Sequence, residues 1–324
     1  MVTLERIEAA SWRIAGVARR TPLEQSRWLS ADLTDGPEVL LKLECFQVTG
    51  SFKIRGAVSK LTSLSEEEQT QGVLTVSAGN HGLAVAHSAE LLGIEATIVV
   101  PETASPAKVA AIRRYPVTLI ERGANYDEAE RAAREMELQG NKVFVSPYND
   151  EEVIAGQGTI AIEILNEDPD IDTLVVPVGG GGLIAGIAIA AKAINPAIRI
   201  YGVEPEASPT MTRALEAGEI VRIEEDETIA DGLAGNIEPG SMTFPIIRDL
   251  VDDILLVSEA EIYRSIARIA REDHLIVEGS AAAAIAPLSN GQRPAITGSR
   301  IAAIITGRNI ALDLFCEALG ESPL

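Results

Sequence analysis

The stretch Gly50-Ser51-Phe52-Lys53-Ile54-Arg55-Gly56 sets one lysine between an aromatic and a branched apolar residue, directly after a Thr49-Gly50-Ser51 turn. An apolar wall penalises an ammonium, so such a lysine has a lowered pKa and its neutral amine becomes a usable nucleophile. A solvated lysine on a surface turn fits the same letters. Two glycine-rich stretches further along the chain shift the balance between these readings.

Val175-Val176-Pro177-Val178 runs into Gly179-Gly180-Gly181-Gly182-Leu183 and then a long alanine- and isoleucine-rich segment. Four glycines let main-chain N–H groups turn inward with no side chain in the way, and the following helix start adds partial positive charge. A phosphate fits there. A tight strand-to-helix turn is the plainer alternative, although glycine is a poor filler for an ordinary turn. No Walker lysine follows, and no G-x-G-x-x-G with a downstream acid fits, which argues against nucleoside triphosphates and the dinucleotide fold.

Leu74-Thr75-Val76 feeds Ser77-Ala78-Gly79-Asn80-His81-Gly82. A hydroxyl, an amide and several main-chain donors converge at a helix start, where a carboxylate would be held. Ser77 and Asn80 could equally be helix caps, and His81 reads better as a core or capping histidine than as a catalyst. His87 and His274 have no carboxylate or cysteine at a telling spacing. Arg300 to Ile305 ends in Thr306-Gly307-Arg308-Asn309, a further strand end carrying a hydroxyl.

The elements that must position these residues follow from composition and periodicity. The chain has 324 residues, is 46% hydrophobic and only 4% aromatic, which suits buried parallel strands wrapped by helices. Its 48 acidic and 27 basic side chains leave a net charge of −21. Such a surface repels phosphate backbones and anionic membranes, so nucleic acid and membrane are not expected partners. Cys45 and Cys316 show neither metal spacing nor a disulfide framework. There is no secretory signal at the start, and the longest apolar run, around Ile184 to Ala191, is too short for a bilayer. A cytoplasmic protein is expected.

Residues 3–19 look helical, Val39 to Glu44 read as a strand, Lys53 opens the next helix, and Glu66-Glu67-Glu68 reads as a solvated run. Strands are expected at Val73 to Val76, Ala96 to Val100, Val117 to Ile120 and Val143 to Val145, with helices at Leu83 to Leu92, Pro106 to Arg114 and Tyr126 to Gln139. That alternation describes a parallel βαβ sheet. A second series follows: a helix over Val153 to Leu165, then strands at Thr173 to Val178, Ile198 to Val203, Asp253 to Val257 and Arg300 to Ile305. The expected organisation is a small α/β domain, 72–148, inserted into a large one, 1–71 plus 149–324, with the chemistry in the cleft. The end of the chain soon after Phe315 is expected to leave no room for a regulatory domain.

A reactive lysine, a phosphate cradle and a carboxylate loop together describe pyridoxal phosphate chemistry on an amino acid. GSFKIRGA, SAGNHG, the glycine tetrad and the terminal strand–TG–x–N resemble the serine/threonine dehydratase and serine racemase branch of fold-type II pyridoxal phosphate enzymes. The likeness includes Ile154-Ala155-Gly156-Gln157-Gly158-Thr159 and Thr228-Ile229-Ala230-Asp231-Gly232. It implies a tryptophan synthase β-like α/β fold: two open, twisted, mainly parallel lobes with pyridoxal 5′-phosphate in the cleft.

By the same resemblance, Lys53 would carry the cofactor and remove the substrate Cα proton. Phe52 would flank the ring, Asn80 would meet its 3′-hydroxyl, Gly179, Gly180, Gly181, Gly182 and Leu183 would hold the phosphate, and Thr306 would meet the ring nitrogen. Ser77, Ala78, Gly79, Asn80 and His81 would grip the substrate carboxylate. The implied activity is an L-threonine/L-serine ammonia-lyase of the short catabolic type, working as a homodimer or homotetramer. A lyase for another 3-hydroxy amino acid, such as 3-hydroxyaspartate, and a serine racemase are the alternatives, with a non-catalytic pyridoxal phosphate carrier further off.

Three departures qualify the resemblance. Racemases of this branch carry a serine where this chain has Ala78, and alanine cannot handle a proton on the face opposite the lysine. The branch's cation site uses Glu204, a carbonyl near Ser208 and an acid where Thr210 stands, so no metal is expected. Val48 and Leu83 replace the lysine and glutamine of the eukaryotic racemase nucleotide site.

Overall fold

The computed structural model describes residues 1–32, 36–140, 142–289 and 296–321. Its strands, numbered in chain order, are β1 (Leu23–Gln25), β2 (Glu38–Lys42), β3 (Val73–Val76), β4 (Ala96–Val100), β5 (Thr118–Glu121), β6 (Val143–Phe144), β7 (Thr173–Pro177), β8 (Arg199–Pro205), β9 (Asp253–Val257) and β10 (Arg300–Ile304). They form two sheets. One has the order β1-β2-β10-β7-β8-β9, and the other β5-β4-β3-β6.

All pairings are parallel except β1 with β2, where Leu23 faces Lys42. β3, β4, β7 and most of β8 are buried along their length. Strands covered on both faces need apolar side chains throughout, which is why these segments read as continuous Val/Ile/Leu runs. The four-stranded sheet lies in sequence between β2 and β7 of the six-stranded one, so the chain leaves the large sheet, builds the small one and returns.

Several elements differ from expectation. The first helix stops at Ile14, because Gly16 takes a positive φ of 85° and turns the chain. Glu66-Glu67-Glu68 is the first turn of a helix, Glu66–Gln71. Ser65 and Glu68 close a reciprocal capping box, so the acid run also favours the helix dipole. The helix after Ser77 starts at Asn80 rather than Leu83, and the one after Tyr148 spans Glu151–Glu167, capped by Asp150, whose carboxylate accepts from Glu152 and Val153 N–H. β1 and the helix Arg27–Asp32 carry too few residues to show a period.

Two large apolar clusters sandwich the six-stranded sheet. One joins Ile154, Ile164, Leu174, Ile184, Ile187 and Ile200. The other joins Val39, Leu41, Val203, Val257, Ile262 and Ile301. Parallel strands all end at the same edge, so the loops after β2, β7 and β10 leave the sheet on one side, the usual place for a ligand crevice in open α/β sheets.

Candidate functional site

Lys53 is placed by the end of β10. Phe52 N–H donates to the Thr306 carbonyl at 3.0 Å, Arg308 N–H donates to the Gly50 carbonyl at 2.9 Å, and Ser51 bridges Gly307. Gly50 sits at φ 79°, and a Cβ there would come within 2.5 Å of Asn309 Oδ1, so this turn requires glycine on two counts. The helix Lys53–Thr62 then buries Ile54, Ala57, Val58 and Leu61.

The Lys53 ammonium donates to the Pro147 carbonyl at 2.9 Å and lies 5.2 Å from the centre of the Phe52 ring. No carboxylate bonds it among the described residues. Burial lowers its pKa to about 8, against the more distant pull of Glu278. A substantial fraction of the amine is therefore neutral near pH 8, which is the condition for a nucleophile or base.

Two residues on, Arg55 receives the opposite treatment. It is fully buried, as is Glu44, which accepts from its Nε at 2.7 Å and from Nη2 at 2.8 Å. Glu163 accepts from Nη1 and Nη2 at 2.7 and 2.8 Å and also from Lys42 at 2.7 Å. Burial pulls the guanidinium pKa down, but Glu44 and then Glu163 raise it beyond its ordinary value. This cluster anchors the helix that begins with Lys53.

The second loop follows β3. Ser77 N–H prolongs the strand to the Val99 carbonyl, and its hydroxyl accepts from Gly79 N–H at 3.1 Å. The helix opens at Asn80. Its first i→i−4 bond is Leu83 N–H to the Gly79 carbonyl, so the N–H groups of Asn80, His81 and Gly82 come before the ladder begins. His81 is buried and its Nε2 lies 3.1 Å from the Val145 carbonyl. Burial, with the Lys53 charge nearby, pushes its pKa down to about 3. A neutral ring that donates from Nε2 has only an acceptor left at Nδ1, so His81 can serve an anion only through its main-chain N–H.

The Asn80 amide is held from both sides. Its Nδ2 donates to Glu278 Oε1 at 2.7 Å, and its Oδ1 accepts from Asn309 Nδ2 at 2.6 Å. This joins the loop after β3 to the loop after β10. Thr306 is buried, and its hydroxyl has no hydrogen-bond partner among the described residues, nor has that of Ser51.

The glycine tetrad follows β7. Gly181 takes φ 88°, and the helix Gly182–Ile194 begins immediately after it, with Leu183 in its first turn. A Cβ on Gly180 would lie 2.4 Å from the Tyr148 ring, and one on Gly181 2.6 Å from Ile247 Cδ1. Tyr148 adjoins Pro147, whose carbonyl takes the Lys53 bond, so residues 147–148 link the tetrad to the lysine. The tetrad is fixed in turn by Thr243, whose hydroxyl donates to the Gly180 carbonyl at 2.8 Å.

The sequence reading missed Glu278 and took Tyr148 only as a boundary. Glu278 had one signal, an acid isolated in the apolar run Leu275-Ile276-Val277-Glu278-Gly279. Burial, and then Asp231, push its carboxyl up to about 7. Glu204 caps a helix: its two oxygens accept from Met211 N–H, Thr212 N–H and the Thr212 hydroxyl at 2.8, 2.8 and 2.6 Å, at the start of the helix Thr210–Ala217.

The remaining features fit pyridoxal phosphate: an amine with a lowered pKa, an unpartnered buried hydroxyl, and a glycine cradle at a helix start. The profile of the pyridoxal-phosphate dependent enzyme family matches residues 14–307. An L-threonine ammonia-lyase of Thermotoga maritima is 42% identical over 321 residues, 99% of this chain and 79% of that protein. A catabolic L-threonine dehydratase of Staphylococcus aureus is 42% identical over 314 residues, 96% of this chain and 90% of that protein. Among solved structures, maize serine racemase superposes with a TM-score of 0.92 at 36% identity, covering 99% of this chain and 97% of that one. A tomato threonine deaminase does so at 0.92 and 35%, covering 99% and 94%. The chain belongs to the pyridoxal-phosphate dependent enzyme family, with the fold-type II architecture.

Proposed function

We propose that the chain is an L-threonine/L-serine ammonia-lyase, which eliminates water from a 3-hydroxy amino acid and releases a 2-oxoacid and ammonia. The observation that carries this reading is the Lys53 amine, held near neutrality beside a helix start able to take a carboxylate. The relatives that act on threonine supply the choice of reaction.

Bound pyridoxal phosphate supplies the electron sink at Cα. The chain does the rest. The main-chain N–H groups of Gly179, Gly180, Gly181, Gly182 and Leu183 hold the phosphate, and the Thr306 hydroxyl meets the ring nitrogen. Phe52 flanks the ring and Asn80 donates to its hydroxyl. The Ser77–His81 loop, including Ala78 and Gly79, holds the substrate carboxylate by N–H groups at the helix start. Lys53 takes the Cα proton as a neutral amine, and the ammonium so formed returns that proton to the β-hydroxyl, which departs as water. The enamine so freed hydrolyses to the 2-oxoacid and ammonia.

The 0.92 match to maize serine racemase favours a second reading. Ala78 opposes it, because a racemase needs a proton donor on the face opposite the lysine. We further take 72–148 as a small domain inserted into 1–71 plus 149–324, and the enzyme as a cytoplasmic homodimer or homotetramer. Among the described residues no helix is long and apolar enough to cross a membrane.

The test is a panel of 3-hydroxy amino acids, followed by 2-oxoacid release and chiral chromatography. L-threonine and L-serine giving 2-oxoacid far in excess of D-isomer is expected. Abundant D-serine would move the assignment to the racemase, and turnover confined to 3-hydroxyaspartate would move the substrate.

A further inference from the structure

Glu278 is a buried carboxyl that none of the steps above uses. Its Oε1 accepts from Asn80 Nδ2, while Asn309 Nδ2 donates both to Asn80 Oδ1 at 2.6 Å and to the Thr49 carbonyl at 2.9 Å. The Thr49 carbonyl can only accept, so it fixes which end of the Asn309 amide is nitrogen. Asn309 then fixes Asn80, and Glu278 agrees with the result. Asn80 is left with its oxygen spoken for and one N–H spare, on a partly exposed side chain. A spare N–H suits an anionic oxygen, whereas the flipped amide would repel it.

We propose that Glu278 is a positioning residue that, together with Asn309, locks the Asn80 amide so that its remaining N–H is the group offered to an oxygen of the bound cofactor ring. This rests on the cofactor reading of Asn80 and not on the choice of substrate. Glu278 is sealed in from several directions. Asp231 faces it from the 228–232 loop, Lys108 from the helix Pro106–Ile112, Lys53 from its own helix start, and the Asn309 N–H from beyond β10. Cys45 and Arg308 share the neighbourhood. Asp231 and Lys108 are themselves ion-paired, so their fields at Glu278 oppose one another. Burial is the first cause of the raised carboxyl pKa, and its ionisation near pH 7 falls where the bound cofactor can report it.

The experiment reads pyridoxal phosphate binding to the apoprotein, by Kd and by the visible absorption band, across pH 5.5 to 8.5. It needs no substrate, so a wrong substrate assignment leaves it intact. Glu278→Ala should raise Kd by about tenfold or more, and the same change in an Asn80→Ala background should add less than about twofold, the coupling expected of a residue acting through another. Glu278→Gln, whose amide oxygen still accepts from Asn80, should hold Kd within about threefold while abolishing the spectral transition near pH 7. An unchanged Kd in Glu278→Ala, an undiminished effect in the Asn80→Ala background, or a transition that persists in Glu278→Gln would each overturn the proposal.

Discussion

Lys53 and Arg55 open the same helix, the first partly buried and the second fully so, and the protein treats them oppositely. Arg55 meets two carboxylates, Glu44 and Glu163, with five charge-assisted contacts at 2.7 to 3.1 Å once the Thr159 hydroxyl is included. Lys53 meets one carbonyl, that of Pro147. A buried cation with partners stays charged, and one without them gives up its proton more readily. The first anchors the helix, and the second is the amine we propose as the reactive one. Two helix positions thus separate a structural charge from the amine proposed to react, and their surroundings widen the gap that the guanidinium's higher intrinsic pKa already opens.

Four changes sharpen or break that contrast. Lys53→Ala should lower 2-oxobutanoate release from L-threonine by roughly 10³-fold or more, in the range that loss of a central catalytic group costs, while urea unfolding stays near that of the parent. Turnover close to the parent would remove Lys53 from the chemistry.

Arg55→Met should do the reverse. It strands Glu44 in the interior, and breaking a buried pair costs about 3–5 kcal/mol, measured as a lower urea midpoint with an unchanged slope. A midpoint unaltered by Arg55→Met would mean that the anchor is not the ion pair.

A third change concerns another buried acid. Burial pushes Glu204 up to about 7 from an ordinary 4.5, although Thr212 and Met211 pull it down. Between those values the folded state binds more protons than the unfolded chain, so this group makes stability fall as pH rises through the window, levelling off above pH 7. Glu204→Gln should flatten that slope by about 3 kcal/mol at most. Parallel urea profiles for parent and variant from pH 4.5 to 7.5 would refute it.

The smallest expected effect lies at the cradle. Gly180→Val puts a branched side chain where the Tyr148 ring already lies, and should raise the cofactor Kd by about tenfold, or 1.4 kcal/mol. Equal affinity would make the tetrad a turn and nothing more.

The sequence made one half of the Lys53–Arg55 contrast legible and hid the other. Lys53 could be read because its surroundings are local: Phe52, Ile54 and the preceding turn. The partners of Arg55 lie 11 and 108 positions away, and no pattern in the chain pairs them. Strands were readable because burial on both faces forces unbroken apolar runs, as at β4. The helix starts at Asn80 and Glu151 were not, since cap geometry and polar first turns carry no apolar period. Glu278 escaped for the same reason as Arg55: its role is set by Asn80, 198 positions earlier.

The most direct test of the central claim, that Lys53 is the reactive lysine, is to reduce the cofactor-loaded protein with borohydride and map the modified peptide by mass. The account predicts a phosphopyridoxyl group on the peptide containing Lys53 and on no other. The same group found on Lys42, Lys60 or Lys108, or no covalent label at all, would contradict it.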